Sequence, residues 1–160
     1  MKKSSKIALL SALVAGIFLT GYLILSQDQP SDQAQIIASL ESARAAASAR
    51  SVSGVMQFVS DKYVDSQGFK KGKLRFLLSQ GLKGDDPITV EFTSPNITVN
   101  GDTATSKIHE KVRVDANSGN LSDEDITLQW RREDGRKWLV VPTKIWRIVG
   151  ADYRAPALPF

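Results

Sequence analysis

The spacing of the hydrophobic residues changes near the middle of this chain. Up to Gly84, apolar residues recur every three or four positions, which is the period of an amphipathic helix. After Pro87, apolar and polar residues alternate, which is typical of half-buried strands. The first pattern predicts helices over 33–50, 52–63 and 70–82. The second predicts strands over 88–92, 97–99, 103–115, 125–133 and 136–149. Helices followed by antiparallel strands indicate an α+β domain.

Glycine and proline residues mark the predicted breaks in these elements. Asn100-Gly101 and Asp134-Gly135 predict two hairpin turns, because both dipeptides tolerate positive φ angles. A loop is expected over 116–121. Gly54 interrupts the second helix and predicts a kink or close helix packing. Pro142 lies within the last predicted strand and predicts a bulge, a bend or an edge position.

The residues before this domain have a different pattern. Ile7 to Leu25 contains no charged residue and follows Lys2, Lys3 and Lys6. A helix of this length spans roughly 29 Å, close to the ~30 Å hydrocarbon core of a bilayer. We therefore predict a cytoplasmic segment over 1–6, a transmembrane signal anchor over 7–25 and a linker over 26–32. The domain would then lie on the extracytoplasmic side, periplasmic or lumenal.

A cleaved signal peptide is the alternative interpretation of the same residues. The apolar run is longer than the usual 7–15 residues, and it is followed by bulky aliphatic residues instead of a small-residue cleavage site. These features favour a retained anchor. In the alternative, the mature protein is secreted.

Charge and composition narrow the possible partners. The formal net charge is +4, but Lys2, Lys3 and Lys6 supply three of these charges, which leaves about +1 for the rest. A nearly neutral domain is not expected to bind nucleic acid. The chain has no cysteine and one histidine, so thiol chemistry is excluded and neither a metal site nor a cofactor is expected.

Three stretches resemble the nuclear transport factor 2-like superfamily, which includes ketosteroid isomerase and polyketide cyclase-like proteins. They are MQFVSDKYVD at 56–65, TVNGDTAT at 98–105 and RREDGRKWLV at 131–140. The resemblance covers 33–150, followed by a proline-containing tail over 151–160. It implies a cone-shaped α+β fold, in which about three helices cover a curved antiparallel sheet. In some relatives the space between helices and sheet is a pocket for ligands or catalysis.

Two polar residues are candidates for such a pocket. The two-residue period places Glu110 on a strand face with Ala104 and Ile108, and it places Arg132 on a face with Trp130. A half-buried carboxylate beside an arginine could act as a ligand clamp or a catalytic pair. The alternatives are a structural salt bridge or solvated strand ends. We predict Glu110 and Arg132 as ligand-binding residues and no catalytic residue.

The other face of the strand over 103–115 is basic. Lys107, Lys111 and Arg113 alternate there with His109. These three cations are predicted to dock acidic lipid headgroups or an acidic partner, and the alternative is a solvated outer face. His109 is expected to be a solvated residue.

The three tryptophans have two possible uses. Trp130, Trp138 and Trp146 are expected to pack in the core, with an exposed stacking platform as the alternative.

Two functions are consistent with these features. The first is a single-pass membrane protein with a noncatalytic interaction domain. It would serve as a scaffold, assembly factor or accessory subunit of a membrane or envelope complex, and homo-oligomers are possible. The second is a membrane-tethered small-ligand-binding protein or enzyme that uses the pocket of the cone. A pocket of roughly 300 Å³ or more would favour the second.

Overall fold

The computed structural model describes residues 30–114, 120–137 and 141–153. The chain divides into two compact units, Met1–Ser31 and Asp32–Phe160, and nearly all described residues belong to the second. The predicted anchor over 7–25, Trp138 and the last residues of the predicted tail lie outside the described residues. Within the described ranges, no helix has both the length and the apolar composition needed to cross a bilayer.

Three helices are described: α1 (Asp32–Ser48), α2 (Val52–Met56) and α3 (Lys71–Gly81). In α1, Ile36 and Leu40 are one turn apart and both are buried against the sheet. The Ser51 hydroxyl caps α2 by accepting a hydrogen bond from the Gly54 amide at 3.1 Å. The predicted helices over 33–50 and 70–82 are confirmed to within two residues.

The prediction of a helix over 52–63 is wrong beyond Met56. The Ile148 amide donates to the Phe58 carbonyl, and the Ser60 amide donates to the Ile148 carbonyl, both at 2.9 Å. Val59 therefore forms a parallel bridge to Ile148. Turns at 57–58 and 61–62 and this backbone pairing with the sheet replace the helical hydrogen bonds that the apolar spacing predicted. Val59 and Tyr63 are nevertheless buried.

The sheet has five antiparallel strands. They are β1 (Ile88–Phe92), β2 (Asn96–Asn100), β3 (Thr103–Val114), β4 (Asn120–Lys137) and β5 (Val141–Tyr153). β1 and β2 pair with successive halves of β3, β3 pairs with β4, and β4 pairs with β5. The backbone of α1 lies nearest to β1, β2 and β5, and its buried side chains pack on residues of β3, β4 and β5. The predicted loop over 116–121 is too long, because β4 already begins at Asn120.

The first predicted hairpin is confirmed. Asn100 pairs with Thr103, so Gly101 and Asp102 form a two-residue loop between β2 and β3. Gly101 has a φ angle of 60°, which fits the first central position of a type II′ turn. Glycine is needed here because other residues rarely adopt this conformation.

The second predicted hairpin, at Asp134-Gly135, is wrong. β4 continues to Lys137, with Asp134 opposite Lys144 and Gly135 opposite Thr143. A Cβ atom at 135 would lie 2.6 Å from Cδ1 and 2.8 Å from Cγ1 of Ile145, so any other residue there would force the Ile145 side chain to shift. Pro142 lies in β5, which is an edge strand of the described sheet. An edge position was one of the three predicted for this proline. The irregular pairing of β4 with β5 lies instead between Gln129 and Trp130.

Two apolar clusters form the core. The first joins Ile36 and Leu40 of α1 to Ala104, Ile108, Trp130 and Trp146 of the sheet. The second joins Met56, Val59, Tyr63 and Ala151. Trp130 is 1% exposed, and its indole N–H donates to the Ser106 hydroxyl at 2.9 Å. The predicted core role is therefore confirmed for Trp130 and Trp146.

Close contacts fix the helices to one another. A Cβ atom at Gly54 would lie 2.8 Å from Cβ of Ala46, so the predicted close packing of α1 and α2 is confirmed. Arg50, at the end of α1, has a φ angle of 57°. Its guanidinium donates to the carbonyls of Leu82 and Lys83 at 2.8 and 3.0 Å, which satisfies acceptors just past the end of α3.

Candidate functional site

A pocket of about 180 Å³ opens between α1 and the inner face of the sheet. All three helices and strands β1, β3, β4 and β5 contribute to its walls. The walls are almost entirely apolar and are formed by Leu40, Ala43, Ala47, Val55, Leu78, Val90, Phe92, Ile108, Ile126, Leu128 and Ile148. Its lining also contains two ionisable side chains, Glu110 and Arg44.

Glu110 brings a carboxyl group into this apolar lining. It lies on β3 between Phe92 of β1 and Glu124 of β4, in the register of the sheet. Burial raises the pKa of Glu110 above its usual range, and the nearby Glu124 carboxylate raises it further. Among the described residues, none donates a hydrogen bond or an ion-pairing cation to Glu110. The period of β3 predicted this inward orientation correctly.

Arg44 is a lining residue that the sequence analysis missed. It lies one turn after Leu40 on α1, and its side chain is 43% exposed. Its guanidinium pairs with Glu41 at 2.8 Å, three residues earlier on the same helix. The spacing of Arg44 from the buried Leu40 was the signal that could have identified it.

The pocket is suited to a small ligand. An apolar cavity of about 150 Å³ can hold benzene, whereas typical sites for larger ligands begin at ~300 Å³. A space of about 180 Å³ is smaller than the ~300 Å³ that would favour the pocket function by size, but it fits one ring or a short chain. The Glu110 carboxyl can donate a hydrogen bond when it is protonated and accept one when it is ionised. Within the described residues, no group of three or more potential metal ligands is present.

Arg132 does not meet Glu110. Glu124 is opposite Glu110, and Arg132 is eight residues farther along β4, roughly 27 Å at the usual rise of a strand. The Arg132 guanidinium instead pairs with Asp32 and lies 4.9 Å from the ring centre of Trp146. The predicted clamp is therefore not formed, and Arg132 has the structural salt bridge that was its alternative.

This ion pair fixes the start of α1. Asp32 is the first residue of the helix, and it also accepts a hydrogen bond from the Trp146 indole at 3.2 Å. The Arg132 amide donates to the Asp102 carbonyl at 2.8 Å, which adds the β2–β3 turn to the cluster. Arg132 thus connects α1, β4, β5 and this turn, and it positions the helix that covers the pocket.

The basic strand face has acidic neighbours that the sequence analysis did not place there. Arg113 pairs with Glu91 of β1 at 2.7 Å, and Lys111 pairs with Asp123 of β4 at 3.3 Å. Among the described residues, none forms an ion pair with Lys107. The surplus positive charge on which the docking prediction depended is therefore largely compensated on this face.

His109 is exposed, as expected, but it has two carboxylate partners. Its Nδ1 lies 2.9 Å from Asp125, and its Nε2 lies 2.9 Å from Asp123. The hydrogen bond with Asp125 raises the pKa of His109, and the charges of Asp123 and Asp125 contribute in the same direction.

Comparisons with known proteins are informative only at the level of structure. No family model and no curated protein matches the sequence. Among solved structures, a nuclear transport factor 2-like protein of unknown function from Pseudomonas putida is 15% identical, with a TM-score of 0.62 over 78% of this chain and 86% of that chain. A cystatin-like-fold protein of unknown function from Nostoc punctiforme is also 15% identical, with a TM-score of 0.61 over 82% and 96%.

A third similar structure carries both fold descriptions. It is a nuclear transport factor 2-like protein with a cystatin-like fold from Novosphingobium aromaticivorans, 18% identical, with a TM-score of 0.57 over 84% of this chain and 86% of that chain. The described domain has the nuclear transport factor 2-like fold. In this fold three helices lie on a curved antiparallel sheet, as the sequence predicted, and the Glu110 pocket lies between these layers.

Proposed function

We propose that this chain is a membrane-tethered, noncatalytic binding protein whose pocket takes up a small apolar molecule with one polar group. The proposal combines the tether of the first function predicted from the sequence with the pocket of the second. The observation that carries it is the Glu110 carboxyl in a lining that is apolar apart from Arg44, which pairs with Glu41.

Glu110 is half-buried, and the position of its carboxyl group beside apolar walls needs a reason. Desolvation disfavours its charged form, so an apolar residue at 110 would pack at a lower cost. The fully buried polar side chains of the described domain have hydrogen-bond partners within the fold. Asp65, for example, accepts hydrogen bonds from the Tyr153 hydroxyl at 2.9 Å and the Phe69 amide at 2.8 Å. A hydrogen-bonding ligand would give Glu110 a partner of the same kind.

The lining supports binding better than turnover. The Glu110 carboxyl could transfer a proton, but charge that develops in a reaction also needs positioned donors. The charged donor of the described lining, Arg44, is already paired with Glu41. A single hydrogen-bonding group within apolar walls instead fits the recognition of one polar substituent.

Two probes of matched shape test this function. Toluene and benzyl alcohol share a ring of suitable size, and the alcohol adds one hydroxyl. We expect both to raise the thermal midpoint of the full chain in detergent, the alcohol more strongly. At 100 times its Kd a ligand adds about 2.7 kcal/mol to the free energy of unfolding.

Pocket variants separate specific binding from dissolution in detergent. Ala43→Leu fills the pocket and should abolish the effect of both probes, whereas Ala45→Leu, on the exposed side of α1, should preserve it. Glu110→Met should remove the preference for the alcohol, which we expect to be about fivefold in Kd for one hydrogen bond. Equal responses of all four proteins would contradict the proposal.

The accessory-subunit function predicted from the sequence makes a different prediction. If the domain acts through a protein partner alone, recovery of that partner from native membranes in mild detergent should not depend on the pocket. Equal recovery with Ala43→Leu and with wild type, together with no probe binding, would favour this second function.

A further inference from the structure

The segment between Asp65 and Asp85 is strongly basic. It contains Lys70, Lys71, Lys73, Arg75 and Lys83, and it contains no acidic residue. The domain as a whole carries about +1, so the residues outside this segment carry about −4, and the concentration of positive charge is local. The segment includes the whole of α3 and the turns on both sides of it.

One side of α3 packs on the domain, and the other side is open. Leu74 and Leu78 contact the cluster of Met56, Val59 and Tyr63, yet no residue of α3 is fully buried. Phe76 is 53% exposed and Leu77 is 40% exposed. We refer to the exposed residues Lys73, Arg75, Phe76 and Leu77, with Lys70 at the start of the helix, as the α3 face.

Cations and aromatic rings are interleaved on this face. The Lys73 ammonium lies 5.3 Å from the ring centre of Phe76 and 5.8 Å from that of Phe69. Lys71 is engaged elsewhere, because its ammonium donates to the Val59 carbonyl at 2.7 Å and pairs with Asp61 at 2.8 Å. Among the described residues, neither Lys73 nor Arg75 forms an ion pair, so both are open to a ligand surface, and Phe76 and Leu77 offer apolar contact.

We infer that the α3 face docks the domain on the surface of an anionic bilayer. Basic residues beside exposed Phe and Leu are the combination with which interfacial helices bind headgroups and enter the acyl boundary. Arg50 holds the residues after α3 by its bonds to Leu82 and Lys83, so the helix is presented in a fixed orientation. The inference rests on the proposed function in one respect only: the tether brings the domain to the membrane.

Site-specific labelling tests this inference, because the chain has no cysteine. A polarity-sensitive dye at Gln80→Cys would report from the exposed side of α3, and a dye at Thr98→Cys would report from the exposed side of β2. The full chain is reconstituted in phosphatidylcholine vesicles with and without about one third phosphatidylserine. We expect a blue shift, and quenching by spin-labelled lipid, for the Gln80 dye in the anionic vesicles only.

Charge and salt distinguish this docking from general adsorption. Each cation near an anionic surface contributes roughly fivefold to binding. The double variant Lys73→Glu, Arg75→Glu should therefore weaken the lipid quenching of the Gln80 dye at least tenfold, and 0.5 M salt should act similarly. The variant Lys107→Glu, Arg113→Glu is the matched control and should leave it unchanged. Circular dichroism and the thermal midpoint check that each variant is folded.

Three outcomes would overturn the inference. The first is that the emission of the Gln80 dye does not depend on the lipid charge. The second is that the two double variants change its lipid quenching equally. The third is that its blue shift appears only when an acidic protein is added. Failure of the tether is measured separately by flotation of the vesicles at alkaline pH. If the chain is lost from the vesicles there, yet the Gln80 dye still responds to anionic vesicles at neutral pH, the tether is refuted and the α3 face is supported.

Discussion

At the scale of single residues, the half-buried Glu110 differs from the fully buried polar side chains by what surrounds it. Ser106 accepts from the Trp130 indole, and Ser60 donates to Glu133 at 2.7 Å, so both have partners inside the fold. Glu110 faces an apolar pocket, and its pKa is raised by burial and by Glu124. This single carboxyl therefore affects both the stability of the fold and the ligand that the pocket accepts.

The raised pKa of Glu110 predicts a pH dependence of stability. The folded state binds the proton more tightly than the unfolded chain, so the stabilisation is present below the usual pKa of about 4.5 and is lost as pH rises through the raised pKa. Glu110→Gln should therefore be more stable than wild type at pH 8 and equally stable at pH 4. Denaturant midpoints of the full chain measure this, with the exposed Glu91→Gln as the control. A difference that does not change with pH would contradict it.

His109 gives a second prediction at the scale of single residues. It is the one histidine of the chain, so its imidazole NMR signals can be assigned directly. Its pKa should lie above 6.5, and Asp125→Asn should lower it, since the hydrogen bond with Asp125 is the main cause of the shift. The stabilisation from this pair is present below pH 6.5 and is lost as pH rises through the raised pKa. An NMR titration of the imidazole protons checks both statements. A pKa that Asp125→Asn does not move would refute this account.

At the scale of elements, regular periodicity was predictive and local exceptions were not. The alternation along β3 predicted that Glu110 faces inward. Residue spacing cannot show that Glu110 and Arg132 lie at opposite ends of the sheet, because this depends on the pairing register of β3 and β4. It also cannot show that Gly135 accommodates Ile145 from the neighbouring strand, since a glycine in a turn and a glycine at a close approach have the same sequence signal.

Two helical glycines give a matched test of the packing of α1 and α2. At Gly54 a Cβ atom would lie 2.8 Å from Ala46, so Gly54→Ala should lower the free energy of unfolding by about 1–3 kcal/mol. At Gly72 in α3 nothing lies within 4 Å of such an atom, so Gly72→Ala should raise it by about 0.5–1 kcal/mol. Thermal midpoints of both variants measure the difference. Equal effects would show that helix propensity, and not packing, determines the outcome at Gly54.

At the scale of the whole molecule, the sequence predicted the type of fold better than the contents of its site. The hydrophobic periods predicted three helices followed by antiparallel strands, and the resemblance to nuclear transport factor 2-like proteins implied that the helices cover a curved sheet; both are observed. The apolar pocket, the interior role of Arg132 and the acidic partners of the basic strand face arise from contacts between distant segments. Such contacts leave no periodic signal in a single sequence.

The membrane tether is also a property of the whole molecule. We expect the domain to be digested when protease is added to intact spheroplasts, because the apolar run over 7–25 follows three lysines. Immunodetection of the domain, with a cytoplasmic protein as the control for intact cells, measures this. Resistance of the domain in intact spheroplasts, with digestion only after lysis, would reverse the topology.

The most direct test of the central claim is the titration of the Glu110 carboxyl itself. The chain has five glutamates, so selective carbon-13 labelling gives few signals, and Glu110→Gln identifies the one from the pocket. The account predicts that Glu110 titrates above 4.5 and that benzyl alcohol, but not the same concentration of methanol, shifts its resonance and its pKa. A Glu110 signal that does not titrate above the usual pKa of about 4.5 and is insensitive to benzyl alcohol would contradict the claim that this carboxyl recognises a ligand.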